Sequence, residues 1–236
     1  MIVYFHVPKC GGLSLKDSLI GHFNRCVMDR YPYWGSADRL RIHIDSPDAP
    51  VTLLYFHEFT YGPESYRHRF VMREEDFVFT VLRHPVSWLQ SLFWMLKSPI
   101  GLANQDFALA LAHGEPGCPF FTLLVNARDF DHFVDLLLDV GTRLPGCTEY
   151  VTRVFDRRAL EKMHFVGILE HMDVTVARLR SALGIPDLEV GHRNAGFYAN
   201  RGGGVIYRQD ELVALFHEAV AAYEHFAGLV MADATA

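Results

Sequence analysis

The sequence is short of cysteine. Four residues in 236 (Cys10, Cys26, Cys118 and Cys147) share no C-x-x-C spacing, so neither a zinc ribbon nor a dithiol redox motif is indicated. A chain of this length does not need disulfides to hold a core, and free thiols in a reducing compartment are the expectation. Positive charge is not in excess either: 22 Lys and Arg stand against 28 Asp and Glu, a formal net charge of −6. That disfavours a general nucleic-acid binder, whose affinity comes from cations on phosphates. It also disfavours a densely sulfated polyanion as a partner, outside a local basic groove. No run of about 18 apolar residues occurs, so no membrane span is expected. Lys9 and the glycines after it interrupt the apolar start before the hydrophobic core of a signal peptide forms, and the chain reads as cytoplasmic. No internal repeat, low-complexity tract or metal-ligand cluster stands out. The string G-x-x-x-x-G-K-[ST] is missing, which makes an ordinary ATPase or GTPase a poor candidate.

What is there is a well-stocked core. Half of the residues are hydrophobic and 21% are charged, a balance that argues against disorder. Residues 1–236 read as a single α/β domain. Short apolar runs at Ile2–Phe5, Val51–Phe56, Phe77–Leu82 and Phe165–Ile168 have the continuity of buried parallel strands. Cys26–Met28 reads as a further short strand. Helical spacing follows at Leu15–Ile20, Val86–Lys97, Phe133–Val140, Arg157–Met163 and Val174–Leu183, and an amphipathic helix capped by Asp210 is expected to run to Leu229. Phe120–Val125 fits either type. Strands alternating with helices imply a parallel sheet with helices on both faces.

The chain is organised around His6-Val7-Pro8-Lys9-Cys10-Gly11-Gly12-Leu13-Ser14-Leu15. A strand precedes it and a helix follows it. Such a turn leaves backbone N–H groups at a helix N-terminus, where the dipole favours an anion. Gly11 and Gly12 remove the Cβ atoms that would hold a phosphate away. Lys9 adds a positive charge and Ser14 a hydroxyl. Cys10 sits at the helix start, a position that can lower a thiol pKa, although a small residue filling the loop is the simpler reading.

A second constellation is Phe79-Thr80-Val81-Leu82-Arg83-His84-Pro85-Val86-Ser87-Trp88-Leu89-Gln90-Ser91. A strand delivers Arg83 to its C-terminal edge, and a helix brings Ser91 round in its second turn. Arg83 offers a planar fork of donors suited to phosphate. A third is His57, at the end of the strand Val51–Phe56, where a ligand crevice lies in open α/β sheets. An imidazole there is matched to proton abstraction near neutral pH, with Glu58 as the reserve base. The loop His192–Gly204 holds Arg193, Arg201 and the run Gly202-Gly203-Gly204, and reads as a lid over an anion.

These residues resemble the PAPS-dependent sulfotransferase family, in the carbohydrate branch related to heparan sulfate 2-O-sulfotransferase. His6–Ser14 is similar to its 5′-phosphosulfate loop, H-[IV]-P-K-[TC]-[AG]-G-[TS]-S, with Leu13 where a Thr or Ser is usual. Arg83–Ser91 is similar to its 3′-phosphate motif, with His84 in place of Asp or Asn and Trp88 in place of a frequent Arg. His57–Gly62 is similar to its G-H-x-x-[FY]-G region, with Phe56 for the first Gly and one residue more before Gly62. Phe165-Val166-Gly167-Ile168-Leu169-Glu170 looks like its late, mainly structural F-V-G-x-x-E strand. The resemblance implies a P-loop-like fold and transfer of a sulfuryl group from PAPS (3′-phosphoadenosine 5′-phosphosulfate, leaving PAP) to an acceptor hydroxyl, most naturally on a carbohydrate or small molecule. By it, His57 and Lys9 are catalytic. Lys9, Cys10, Gly11, Gly12, Leu13, Ser14, Arg83, Ser91, Arg193 and Arg201 bind the cofactor, and no metal is needed. Two other readings stay open: a non-catalytic PAPS- or PAP-binding module, and a nucleotide-dependent kinase with an atypical phosphate loop.

Overall fold

The structure is a computed structural model that describes residues 1–7, 9–29, 53–56, 74–98, 119–144, 146–191 and 205–232. Its elements run β1 (Ile2–Phe5), α1 (Gly12–Ile20), β2 (Cys26–Asp29), β3 (Leu53–Phe56), β4 (Phe77–Leu82), α2 (Pro85–Leu96), α3 (Pro119–Asn126), α4 (Phe130–Asp139), α5 (Glu149–Val154), α6 (Arg157–Leu160), β5 (Phe165–Ile168), α7 (Met172–Leu183), α8 (Gln209–Leu215) and α9 (His217–Ala232). Short 3-10 turns lie at Gly141–Arg143 and Leu169–His171.

The chain divides into two compact units. One holds Met1–Arg83, Asp156–Arg193 and Tyr223–Ala236; the other holds His84–Phe155 and Asn194–Ala222.

The first unit is built on the sheet. The five described strands form one parallel sheet in the order β2-β3-β1-β4-β5. Ile2 pairs with Leu53 on one side and with Phe77 on the other, so β1 is central. Val3, Tyr4 and Phe5 are buried, as are Val78 to Leu82, which is why these strands are apolar without alternation. Tyr4 stacks on Phe79 across β1 and β4, with ring centroids 4.6 Å apart. The order has a functional corollary. The chain leaves β1 through α1 for β2 at one edge, and leaves β4 for β5 at the other. Connections that depart in opposite directions from adjacent strands open a crevice at their C-terminal ends.

On the β5 side, Gly167 makes room for Thr175 of α7: a Cβ there would run into the Thr175 methyl group, so no side chain fits without a shift. The Thr175 hydroxyl accepts from the Ile168 N–H at 2.9 Å and donates to the Ile168 carbonyl at 3.0 Å. α7 ends at Gly184, whose φ of +66° is the left-handed closure that glycine supplies most readily.

The second unit is helical and aromatic. Phe93 of α2 stacks on Phe133 and meets Phe130 edge-on, both at 5.5 Å. Phe120 stands at right angles to Phe133, and Trp88 meets Phe155 edge-on at 5.7 Å. This cluster resolves Phe120–Val125 as helix: Phe120, Phe121, Leu123 and Leu124 are all buried at helical spacing. Asp129 caps α4 by accepting from the His132 N–H at 2.8 Å.

Two expectations are corrected. The helix placed at Asp210–Leu229 is two helices that meet at Phe216, where φ is −105° and ψ is 31°. Its start is set by Arg208 rather than Asp210. Arg208 takes a left-handed φ of 50° and is tied down by Asp135 at 2.9 Å and Glu211 at 2.7 Å. The short helix α5 was not legible in the sequence; Tyr150 and Val151 are its buried pair.

Candidate anion site at the β1–α1 turn

The turn after β1 is tight. The Cys10 N–H donates to the Val7 carbonyl at 3.3 Å. Lys9 has a φ of 65° and Gly11 a φ of 76°. For lysine that is a strained conformation, of a kind that persists only where the surroundings enforce it and that clusters at functional sites. Gly11 is the N-cap of α1. Among the described residues no side chain caps that end by hydrogen bond, and no acid lies in its first turn. No capping side chain or first-turn acid among the described residues thus competes with an anion for the positive end of the dipole.

Each glycine answers to a neighbour. A Cβ on Gly11 would come within 2.8 Å of Leu169 Cδ1 and 3.0 Å of Met172 Cε. On Gly12 a Cβ would fall inside the His6 imidazole, against Cδ2, Nε2 and Cγ. His6 is 4% exposed. Leu13 is 40% exposed, so the position where the resemblance expects a hydroxyl carries an outward apolar side chain. Ser14 is half-buried, and its carbonyl accepts from the Ser18 hydroxyl at 3.0 Å.

Arg83 arrives from the adjacent strand. It lies just past β4, half-buried, and its Nη1 donates to the Lys9 carbonyl at 3.5 Å. Burial first, and then the Arg83 guanidinium, hold the Lys9 amine below its usual pKa. Like charges disfavour each other's charged form, and a bound anion would favour both. Burial pushes the Cys10 thiol well above its ordinary range, and Glu170 adds to the shift against the opposing effect of Arg83. The thiol therefore stays protonated and serves as filler, and the Cys10 N–H is engaged by the Val7 carbonyl, so the structure leaves Cys10 no evident group for the ligand contact that the sequence reading gave it.

One pair near this turn escaped sequence reasoning. Glu170, in the 3-10 turn after β5, accepts from the Tyr223 hydroxyl at 3.0 Å. Burial, then Glu170, raises the Tyr223 phenol well above its usual range, with a smaller contribution from Cys10. Tyr223 carried no motif; in sequence it is one apolar position of a C-terminal helix.

The structure thus brings together Lys9, Cys10, Gly11, Gly12, Leu13, Ser14 and Arg83. Ser91 is half-buried in the second turn of α2, in the other unit. His57, Glu58, Arg193 and Arg201 lie outside the described residues. Among the described residues, no group of three or more His, Cys, Asp or Glu could hold a metal ion, and no helix is long and apolar enough to cross a membrane. No family model matches this chain, and no curated protein matches it.

Proposed function

We propose that the chain is a P-loop-like α/β sulfotransferase that moves a sulfuryl group from PAPS to an acceptor hydroxyl, with a carbohydrate or other small hydroxylated molecule as acceptor. The observation that carries this reading is the meeting of Lys9 and Arg83 at the C-terminal ends of two adjacent parallel strands. Each belongs to one of the two motifs that the resemblance assigns to the two phosphate ends of the cofactor.

In this reading the amides of Gly11 to Ser14 and the Lys9 ammonium hold the 5′-phosphosulfate and take up the charge that grows on the leaving phosphate. Arg83 holds the 3′-phosphate, a role that the resemblance also gives to Ser91. His57 accepts the proton of the attacking hydroxyl, and Arg193 and Arg201 close over the nucleotide. The sulfuryl group passes in line from phosphate to oxygen, by analogy with phosphoryl transfer. No metal takes part.

Calorimetry with PAP and ATP, followed by mass spectrometry of hydroxylated acceptors incubated with PAPS, tests the reading. PAP binding at about micromolar Kd, roughly −8 kcal/mol, is expected. Binding of ATP as tightly as PAP overturns it, because ATP has no 3′-phosphate. Transfer that EDTA abolishes also overturns it. A chain that binds PAP and transfers nothing to any acceptor is a binding module instead. His57→Ala is expected to keep PAP affinity and to slow transfer by about a hundredfold.

A further inference from the structure

We propose that His6 is a positioning residue whose imidazole sets the shape of the anion loop. The inference rests on the reading of the β1–α1 turn as an anion site. It concerns how that site is built.

The turn has to be held from outside, since Lys9 occupies a strained left-handed conformation. On the α7 side, Leu169 and Met172 close on Gly11. On the sheet side, the His6 ring takes the space that a side chain on Gly12 would need. His6 follows directly on β1, is buried, and has the Tyr4 ring tilted against it at 6.1 Å. Gly12 is the first residue of α1. The imidazole is therefore a rigid spacer between the end of the central strand and the first turn of the helix. A flat ring that touches the Gly12 backbone fixes how far that turn stands from the sheet, and so where its N–H groups aim. A smaller residue would let the turn settle inward. A side chain on Gly12 would push it outward. Either change misdirects the amides without removing any group that contacts the anion.

The test uses pyrophosphate as probe, in calorimetry on the full chain, with thermal melting as the control for folding. The variants are His6→Asn, His6→Ala, Gly12→Ala and the double variant His6→Ala/Gly12→Ala. His6→Asn is expected to bind about fivefold more weakly, and Gly12→Ala about tenfold more weakly, because both spoil the same spacing. The two sites touch, so their effects should not add: the double variant should bind better than Gly12→Ala alone, the vacated ring space receiving the new methyl group. Rescue of folding in the double variant, where Gly12→Ala alone fails to fold, supports the proposal equally. Wild-type affinity in His6→Asn overturns it. So do additive losses in the double variant, and so does loss of affinity in His6→Asn that merely tracks loss of the fold. If pyrophosphate binds and PAP does not, the cofactor assignment fails while His6 is still judged on pyrophosphate. If neither binds, both fail.

Discussion

The Thr80 hydroxyl donates to the Phe5 carbonyl at 2.7 Å, inside the sheet and away from water. Phe5 is the last residue of β1, and Thr80 is its register partner in β4. The bond ties together the ends of the two strands that carry Lys9 and Arg83. Thr80→Val keeps the shape and removes the donor. It is expected to lower stability by about 1–2 kcal/mol, the usual cost of a lost buried hydrogen bond. Denaturant unfolding with an unchanged midpoint would show that the bond contributes nothing.

Lys9 supplies a pH dependence. Burial and Arg83 lower its pKa in the free protein below the ordinary 10.5. A bound anion favours the charged amine and raises that pKa again, so the complex holds more protons than the free protein across the interval between the two values. PAP affinity is therefore expected to fall as pH rises through the free-state value, beginning below 10.5. Arginine stays charged throughout, and Lys9→Arg should flatten this part of the profile. Profiles of the same shape in both proteins would assign the titration to another group.

Arg83→Ala addresses the 3′-phosphate. The variant should lose about tenfold or more in PAP affinity while its affinity for AMP, which lacks that group, stays within about twofold, since the charge-assisted bond to the 3′-phosphate is one that PAP alone makes. Equal losses for both nucleotides would mean that Arg83 acts through the Lys9 carbonyl, as a brace for the loop.

Gly11→Ala combines two costs of different kinds. The contact with Leu169 and Met172 falls on the ends of flexible side chains and is relieved by small movements. The φ of 76° is not relieved, because any L side chain resists it. A loss of about 1–2 kcal/mol is expected. Adding Leu169→Ala should recover only a minor part of it. Full recovery would show that crowding, not the backbone, is what makes glycine necessary there.

Much of the sheet was legible in the residues. The runs Ile2–Phe5, Phe77–Leu82 and Phe165–Ile168 are apolar on both faces, and each is a strand with those bounds. Pro85 marks the start of α2 because its fixed φ suits a first helical turn. The order of the strands was not legible, since periodicity is local and pairing is not. The break at Phe216 was hidden for a similar reason: apolar spacing runs through it, and the left-handed Arg208 depends on partners at Asp135 and Glu211. Within the site, the glycines and Lys9 could be read as an anion turn. The burial of His6 against Gly12 could not, because a histidine in sequence does not reveal which way its ring lies. The Glu170–Tyr223 pair joins positions 53 apart in the chain, a distance that no motif spans.

The central place of β1 sets a condition on synthesis. Ile2 is made well before its partners Leu53 and Phe77, and β5 must wait for Phe165. Until then the ribosome holds out an apolar strand with both hydrogen-bonding edges bare. Topologies of such long-range pairing fold slowly and expose sticky surface meanwhile. The strand that carries the anion turn is thus the one that most needs shelter during translation, and chains halted short of Leu82 should be captured by holdase chaperones rather than accumulate in soluble form.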